Sequence, residues 1–248
     1  MQIVKFKKMS SSKYKVFFLN GQNIVVHEDI ILKHNMLTAK YIDNELLEEI
    51  ITDNNNYMVY DLALKYIKVK LRCENEIIDY LKKKNIDDIL INHIVCKLKK
   101  DGYLDSKLYI KSYINDKFNI NNIGPLKIKK ELINLGFDES LIEEELNKLD
   151  KDELLFKLNK MIDKKITQTK NYSGYILKKK IIDYFTDKGF FLEDIESLLN
   201  NKNLSSSEQL KMEYDKLYSK YSKKYSGSEL EKIIKQKLYQ KGFNYNEI

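Results

Sequence analysis

One phrase recurs four times in this chain: Ile, three residues, Leu or Phe, three residues, Gly or Asn, an apolar residue, four residues, Ile. The copies are Ile77-Leu81-Asn85-Ile86-Ile91, Ile128-Leu132-Gly136-Phe137-Ile142, Ile181-Phe185-Gly189-Phe190-Ile195 and Ile234-Leu238-Gly242-Phe243-Ile248. Their starts lie 51, 53 and 53 residues apart. A fixed period of this size means one structural unit copied in tandem. With only 8 Gly and 1 Pro in 248 residues, helices should dominate.

Each copy reads as three helices. The Ile and the Leu or Phe, four apart, share one face of the middle helix. The Gly or Asn four further on ends that helix in the left-handed conformation, and Asp87, Asp138 and Asn244 are placed to cap the next one. Phe191 breaks that capping pattern. Ser226-Gly227-Ser228-Glu229 reads as a capping box opening the middle helix of the fourth copy. Gly136, Gly189 and Gly242 are structural on this reading, as are Gly124 and Pro125 ahead of a middle helix.

The region before the first copy differs. Residues 13–19 and 23–26 read as a hairpin, with Asn20-Gly21 as a type I′ turn and Ile3 to Lys7 as a third strand. A short helix near Asp43–Ile51 follows, and Asp53-Asn54-Asn55-Asn56 reads as a linker. The expected organisation is therefore a β-hairpin and helix over 1–60, then three-helix repeats over 61–105, 106–150, 151–203 and 204–248, the last with its third helix missing or truncated. The fold class is mainly α: tandem three-helix units forming an elongated array.

The chain carries 44 basic and 37 acidic residues, a net charge of +7, and Arg72 is the one arginine. Residues 151–248 hold +6 of that excess, so an anionic partner should meet the C-terminal half first. No run approaches a membrane span and no signal-type leader opens the chain, so a soluble, cytoplasmic protein is expected. Cys73 and Cys96 have no metal-ligand spacing and read as buried small hydrophobes. His27, His34 and His93 have neither metal nor triad spacing, and Gly124-Pro125 is no phosphate loop. No catalytic residue, metal or cofactor is assigned, and a non-enzymatic monomer is expected.

Basic residues recur on the middle helices: Lys127, Lys129 and Lys130, then Lys178, Lys179 and Lys180, then Lys232, Lys235 and Lys237. Such a series suits a phosphate backbone or an acidic protein groove; a solvated lysine face is the plain alternative. Tyr109 and Tyr113, and Tyr214, Tyr218 and Tyr221, three or four residues apart, form helical stripes that suit core packing better than base stacking.

Three stretches bear a family resemblance. Tyr66-Ile67-x4-Arg72-Cys73-x2-Glu76-Ile77-x3-Leu81 resembles the opening motif of the RecX family, regulators of the RecA recombinase. Leu104-Asp105-x3-Tyr109-x3-Tyr113 resembles its second motif, and Gly124-Pro125-x2-Ile128-x3-Leu132-x3-Gly136-Phe137 its third. Order and spacing agree across residues 63–146, and the N-terminal hairpin resembles that of longer members from Gram-positive bacteria. Cys73 stands where the family usually has Ser, Ser106 where it has a second Asp, Ile110 where it has Ala, and Lys127 where it often has Arg. The last change keeps charge and loses bidentate geometry.

The resemblance implies a modulator that binds RecA and its nucleoprotein filament, limits filament growth or promotes its loss, and damps recombination and SOS co-protease activity. Weak DNA binding accompanies this in the family. The residues expected to meet RecA or DNA are Arg72, Glu76, Asp105, Lys127, Lys130, Lys178, Lys179 and Lys180. Arg72 and Glu76, four apart at a helix start, equally suit an internal ion pair. An autonomous DNA-binding protein built of the same trihelical units is the competing expectation.

Overall fold

The computed structural model describes residues 1–10, 12–169, 171–204 and 207–243. The Asn244 cap and the closing Ile248 of the fourth phrase lie outside them. Among the described residues the fold is mainly helical, with one small sheet.

That sheet is antiparallel, in the order β1 (Ile3–Lys8), β2 (Lys13–Phe18), β3 (Asn23–His27). Alternation puts Val16, Phe18 and Val26 inward, where they join Ile30, Ile31, Met36, Ile42 and Ile50 in one core. The β2–β3 connection departs from the expected type I′ turn. Gly21 alone takes a positive φ, of 84°, and its N–H donates to the Phe18 carbonyl at 3.1 Å. Asn20 instead uses its side-chain oxygen to accept from the Gln22 amide at 3.1 Å, so it need not turn left-handed itself.

Two helices follow, α1 (Glu28–Lys33) and α2 (Asn44–Ile67). Asp43 caps α2, accepting from the Leu46 amide. The expected short helix and linker are corrected, because α2 runs unbroken for 24 residues through Asp53–Asn56 and past position 60. Tertiary bonds override weak helix propensity there. Asn54 accepts from the His27 amide at 2.9 Å and donates to the Val25 carbonyl at 3.0 Å, so a helix side chain completes the open edge of β3. Asn54→Ala should therefore lower stability by about 1 kcal/mol. A denaturation midpoint equal to wild type would show that water replaces both bonds without cost.

The first repeat adds α3 (Glu74–Lys82) and α4 (Asp88–Lys100) to the end of α2. Ile77, Leu81, Ile91, Ile94, Val95 and Leu98 form its core with Val59 and Ala63. Cys73 is buried, but Cys96 is exposed, against expectation. One residue past Val95, it has turned about 100° off the buried face.

The remaining elements are α5 (Ser106–Asn115), ending in a π-helical turn over Asp116–Ile120, then α6 (Pro125–Asn134), α7 (Glu139–Leu146), α8 (Lys151–Gln168), α9 (Gly174–Asp187), α10 (Leu192–Asn200), α11 (Ser207–Tyr221) and α12 (Gly227–Gln240). The chain separates into two compact units, Met1–Tyr109 and Ile110–Ile248. The phrase behaves as read. Asn85, Gly136, Gly189 and Gly242 have φ of 59°, 88°, 85° and 91°. Asp87 and Asp138 cap the helices that follow. Phe190 and Phe243, next to their glycines, are buried. The capping box at Ser226 does not form: that residue makes no side-chain cap bond, and Gly227 enters the helix with φ of 57°.

Candidate partner-binding surfaces

Within the second unit, the glycines that end α9 and α12 each have a further partner. The Gly124 amide donates to the Lys188 carbonyl at 2.7 Å, and the Leu126 amide to the Gly189 carbonyl at 3.0 Å. The start of α6 is thereby bonded to the end of α9. The joint recurs one repeat on, where the Ser173 amide donates to the Lys241 carbonyl at 2.9 Å. Orphan amides of one helix meet orphan carbonyls of the next, with opposite dipole ends together. A Cβ on Gly189 would overlap the Lys127 amide and Cβ, and one on Gly242 would overlap the Ser173 carbonyl. The first copy carries Asn85 instead. No repeat precedes it, and asparagine tolerates the left-handed region.

Sequence reasoning placed Gly189 and Gly242 as helix ends and missed these joints. Their signal was the small residue before each middle helix: Gly124, Ser173 and Ser226. Lys127 belongs to the same joint, its ammonium 3.5 Å from the Asp187 carbonyl at the C-terminus of α9.

Arg72 and Glu76 lie together in the first unit. The guanidinium meets the Glu76 carboxylate at 3.0 Å and sits 3.8 Å from the centre of the Tyr66 ring, which stacks on Tyr80 at 4.0 Å. The other Glu76 oxygen accepts from the Cys73 amide at 3.0 Å and the Tyr109 hydroxyl at 3.3 Å. Glu76 thus caps α3 while neutralising Arg72, whose side chain is 12% exposed and whose Nε is buried without a hydrogen-bond partner. Burial works to raise the Glu76 carboxyl. The Cys73 amide, Arg72 and Lys70 outweigh it and hold it below the usual glutamate range. Asp105 accepts from the Leu108 amide at 3.0 Å, which is a helix-start cap. Tyr113 donates to Glu131 at 2.7 Å, and Lys117 pairs with the same carboxylate at 2.7 Å.

The expected lysines are less engaged. Lys130 and Lys179 are exposed on α6 and α9. Lys178 donates to Asn200 at 3.0 Å, and the Lys180 ammonium lies 4.4 Å from the Tyr172 ring centre. Nearby, a groove of about 660 Å³ opens among α6, α7, α8 and α10. Leu126, Leu146, Leu149, Leu154 and Phe191 supply its apolar lining. Phe191 holds the N-cap of α10, makes no cap bond and is 45% exposed. It occupies the position where the first two copies carry a capping Asp, which leaves an aromatic ring in the groove.

His34, Glu49 and Asp53 bring three oxygen or nitrogen donors within 4.8 Å of one another. Lys33 already pairs with Asp53 at 2.5 Å, and His34 meets the same oxygen at 2.7 Å, so the Asp53 carboxylate is already engaged within the fold.

Repeats joined end to end define a class, a tandem three-helix-repeat protein, here with exposed lysines and an apolar groove on its surface. The chain is 30% identical over 253 residues to regulatory protein RecX of Streptococcus agalactiae, covering 100% of this chain and 97% of that one. It is also 30% identical to regulatory protein RecX of Bacillus cereus strain 03BB102, across 99% and 94% of the two chains. No family model matches. A crystal structure of regulatory protein RecX superposes with a TM-score of 0.69 over 81% of this chain and 99% of that one, at 21% identity. RecX from Lactobacillus salivarius superposes with 0.56 over 60% and 96%, at 25% identity. The chain belongs to the RecX family.

Proposed function

We propose that this protein is a non-enzymatic regulator that binds RecA and its nucleoprotein filament, limiting filament extension or promoting disassembly. It thereby damps recombination and SOS co-protease activity. The observation that carries this reading is the end-to-end match to proteins named regulatory protein RecX, which leaves no segment of the chain to be explained by another domain. The joints support it physically. Repeats bonded head to tail present one similar surface after another, and several modest contacts on a polymeric partner add up to high avidity. The apolar groove with Phe191 favours a protein partner, since bare phosphate has nothing to place there.

On this reading Lys130, Lys178 and Lys179 face the partner. Arg72, Glu76 and Asp105 act indirectly, by shaping the first repeat. The test is RecA's DNA-dependent ATPase with this protein at substoichiometric ratios. Inhibition is expected well below one protein per RecA, and Lys178→Glu with Lys179→Glu and Lys180→Glu should weaken it and flatten its salt dependence. Inhibition that requires enough protein to coat the DNA, and that excess DNA relieves, would decide for the autonomous DNA-binding reading.

A further inference from the structure

The charge balance of the first 150 residues is nearly even, but it is not even along them. The first 27 residues hold five lysines and no Asp or Glu. Strand alternation sorts four of those lysines, Lys5, Lys7, Lys13 and Lys15, onto the face of the sheet opposite the Val16–Phe18–Val26 core. Phe17 lies on the same face, paired with Lys5 on β1, and Lys7 lies directly opposite Lys15. The Lys5 and Lys15 ammoniums stand 4.9 and 5.5 Å from the centre of the Phe17 ring, Lys5 from the neighbouring strand β1 and Lys15 from β2 itself, two residues before Phe17.

Folding does not account for this arrangement. Like charges directly opposed across two strands destabilise a sheet. Lysines on edge strands guard against aggregation, but β2 is the central strand, and it carries Lys13 and Lys15. A folding argument would also put acids among them, and the chain has 37 acids elsewhere. An aromatic ring on a flat surface ringed by cations, with no anion on the strands, is the composition that holds single-stranded nucleic acid. Ammoniums meet successive phosphates, and a base stacks on the half-buried ring. Successive lysines on one strand stand about 7 Å apart, a spacing that follows an extended chain of phosphates.

We propose that the outer face of the β1–β2–β3 sheet is a single-stranded nucleic-acid site, with Lys5, Lys7, Lys13 and Lys15 on the phosphates and Phe17 beneath a base. The site is independent of any RecA contact and of the α9 lysines, so it is tested without RecA. The measurement is fluorescence anisotropy of a labelled oligo-dT of about 20 nucleotides, a length sufficient for a site of this kind. The full chain is titrated at several salt concentrations.

Lys7→Gln with Lys15→Gln removes the opposed like charges, so the melting temperature should hold or rise. Affinity should nevertheless fall roughly tenfold or more, and the salt slope should shrink by about 1.4, the share of two phosphate contacts on a single strand. Phe17→Leu keeps an apolar side chain on the sheet and should cost about fivefold or more in affinity, as the loss of one stacked base does. Oligo-dT affinity within twofold of wild type in the lysine variant would overturn the proposal. So would equal competition, charge for charge, by poly-glutamate, because that would make the face a site for acidic protein. Tighter binding of duplex than of single strand would also overturn it.

Discussion

Replacing Gly189 by valine is expected to lower the stability of the second unit by about 3 to 5 kcal/mol. Three effects add at this one position. A β-branched residue at φ of 85° is strained by about 1–2 kcal/mol. Its Cβ would overlap the Lys127 backbone, and such overpacking typically costs about 1–3 kcal/mol. Backing away would break the Gly124 and Leu126 amide bonds to the end of α9, each worth about 1 kcal/mol. For a unit of this size the melting midpoint should drop by roughly 10 to 17 °C. Gly102→Ala is the control. It has a similar φ of 78° but nothing within 4 Å of its Cβ, so it should show the backbone strain alone. Equal losses for the two variants would mean that the joint contributes nothing beyond the conformation of its glycine.

Glu76→Ala should cost about 2 to 3 kcal/mol, somewhat less than the loss of a fully buried pair because the Glu76 side chain is 21% exposed. The substitution strands the Arg72 guanidinium beneath Tyr66 and uncaps α3 in one step. A double change, Arg72→Leu with Glu76→Leu, should recover part of the loss, since no buried charge then lacks a partner. Glu76 also gives the first unit a pH signature. Its folded pKa is depressed, so the unfolded chain binds the proton more readily. The stabilisation is complete above the ordinary glutamate value of 4.5 and is lost as pH falls through the lower folded value. Asp53, held down chiefly by Lys33, with His34 adding to it against burial, acts in the same direction. Acid titration of Glu76→Gln should show a shallower decline than wild type. Parallel curves would place the acid sensitivity elsewhere.

These two positions show what could be read from the sequence. Left-handed helix ends are legible because few residues tolerate a positive φ, so Gly136, Gly189 and Gly242 announced themselves. The joints were not legible, since the partner of Gly189 is some sixty residues away in sequence and only packing brings it near. The run Asp53–Asn56 failed for the opposite reason: its local preference is for a turn, and distant groups, Lys33, His34 and the edge of β3, hold it in a helix. Of the candidate site residues, Arg72, Glu76 and Asp105 were found by family resemblance, and geometry gives each an internal partner. Lys130 and Lys179 remain outward. The basic sheet face was hidden by averaging charge over a window long enough for the acids of α2 to α4 to cancel it.

The head-to-tail joints have a thermodynamic consequence. Repeats coupled only to their neighbours obey the statistics of a one-dimensional chain, in which each joint supplies a coupling energy and the terminal member has one neighbour instead of two. Fraying should then begin at α11 and α12, which the second unit holds to α9 through the Ser173–Lys241 joint. Amide exchange should be slower in α9, which has a joint on each side, than in α12, which has one, a difference that a domain melting as one cooperative block would not show.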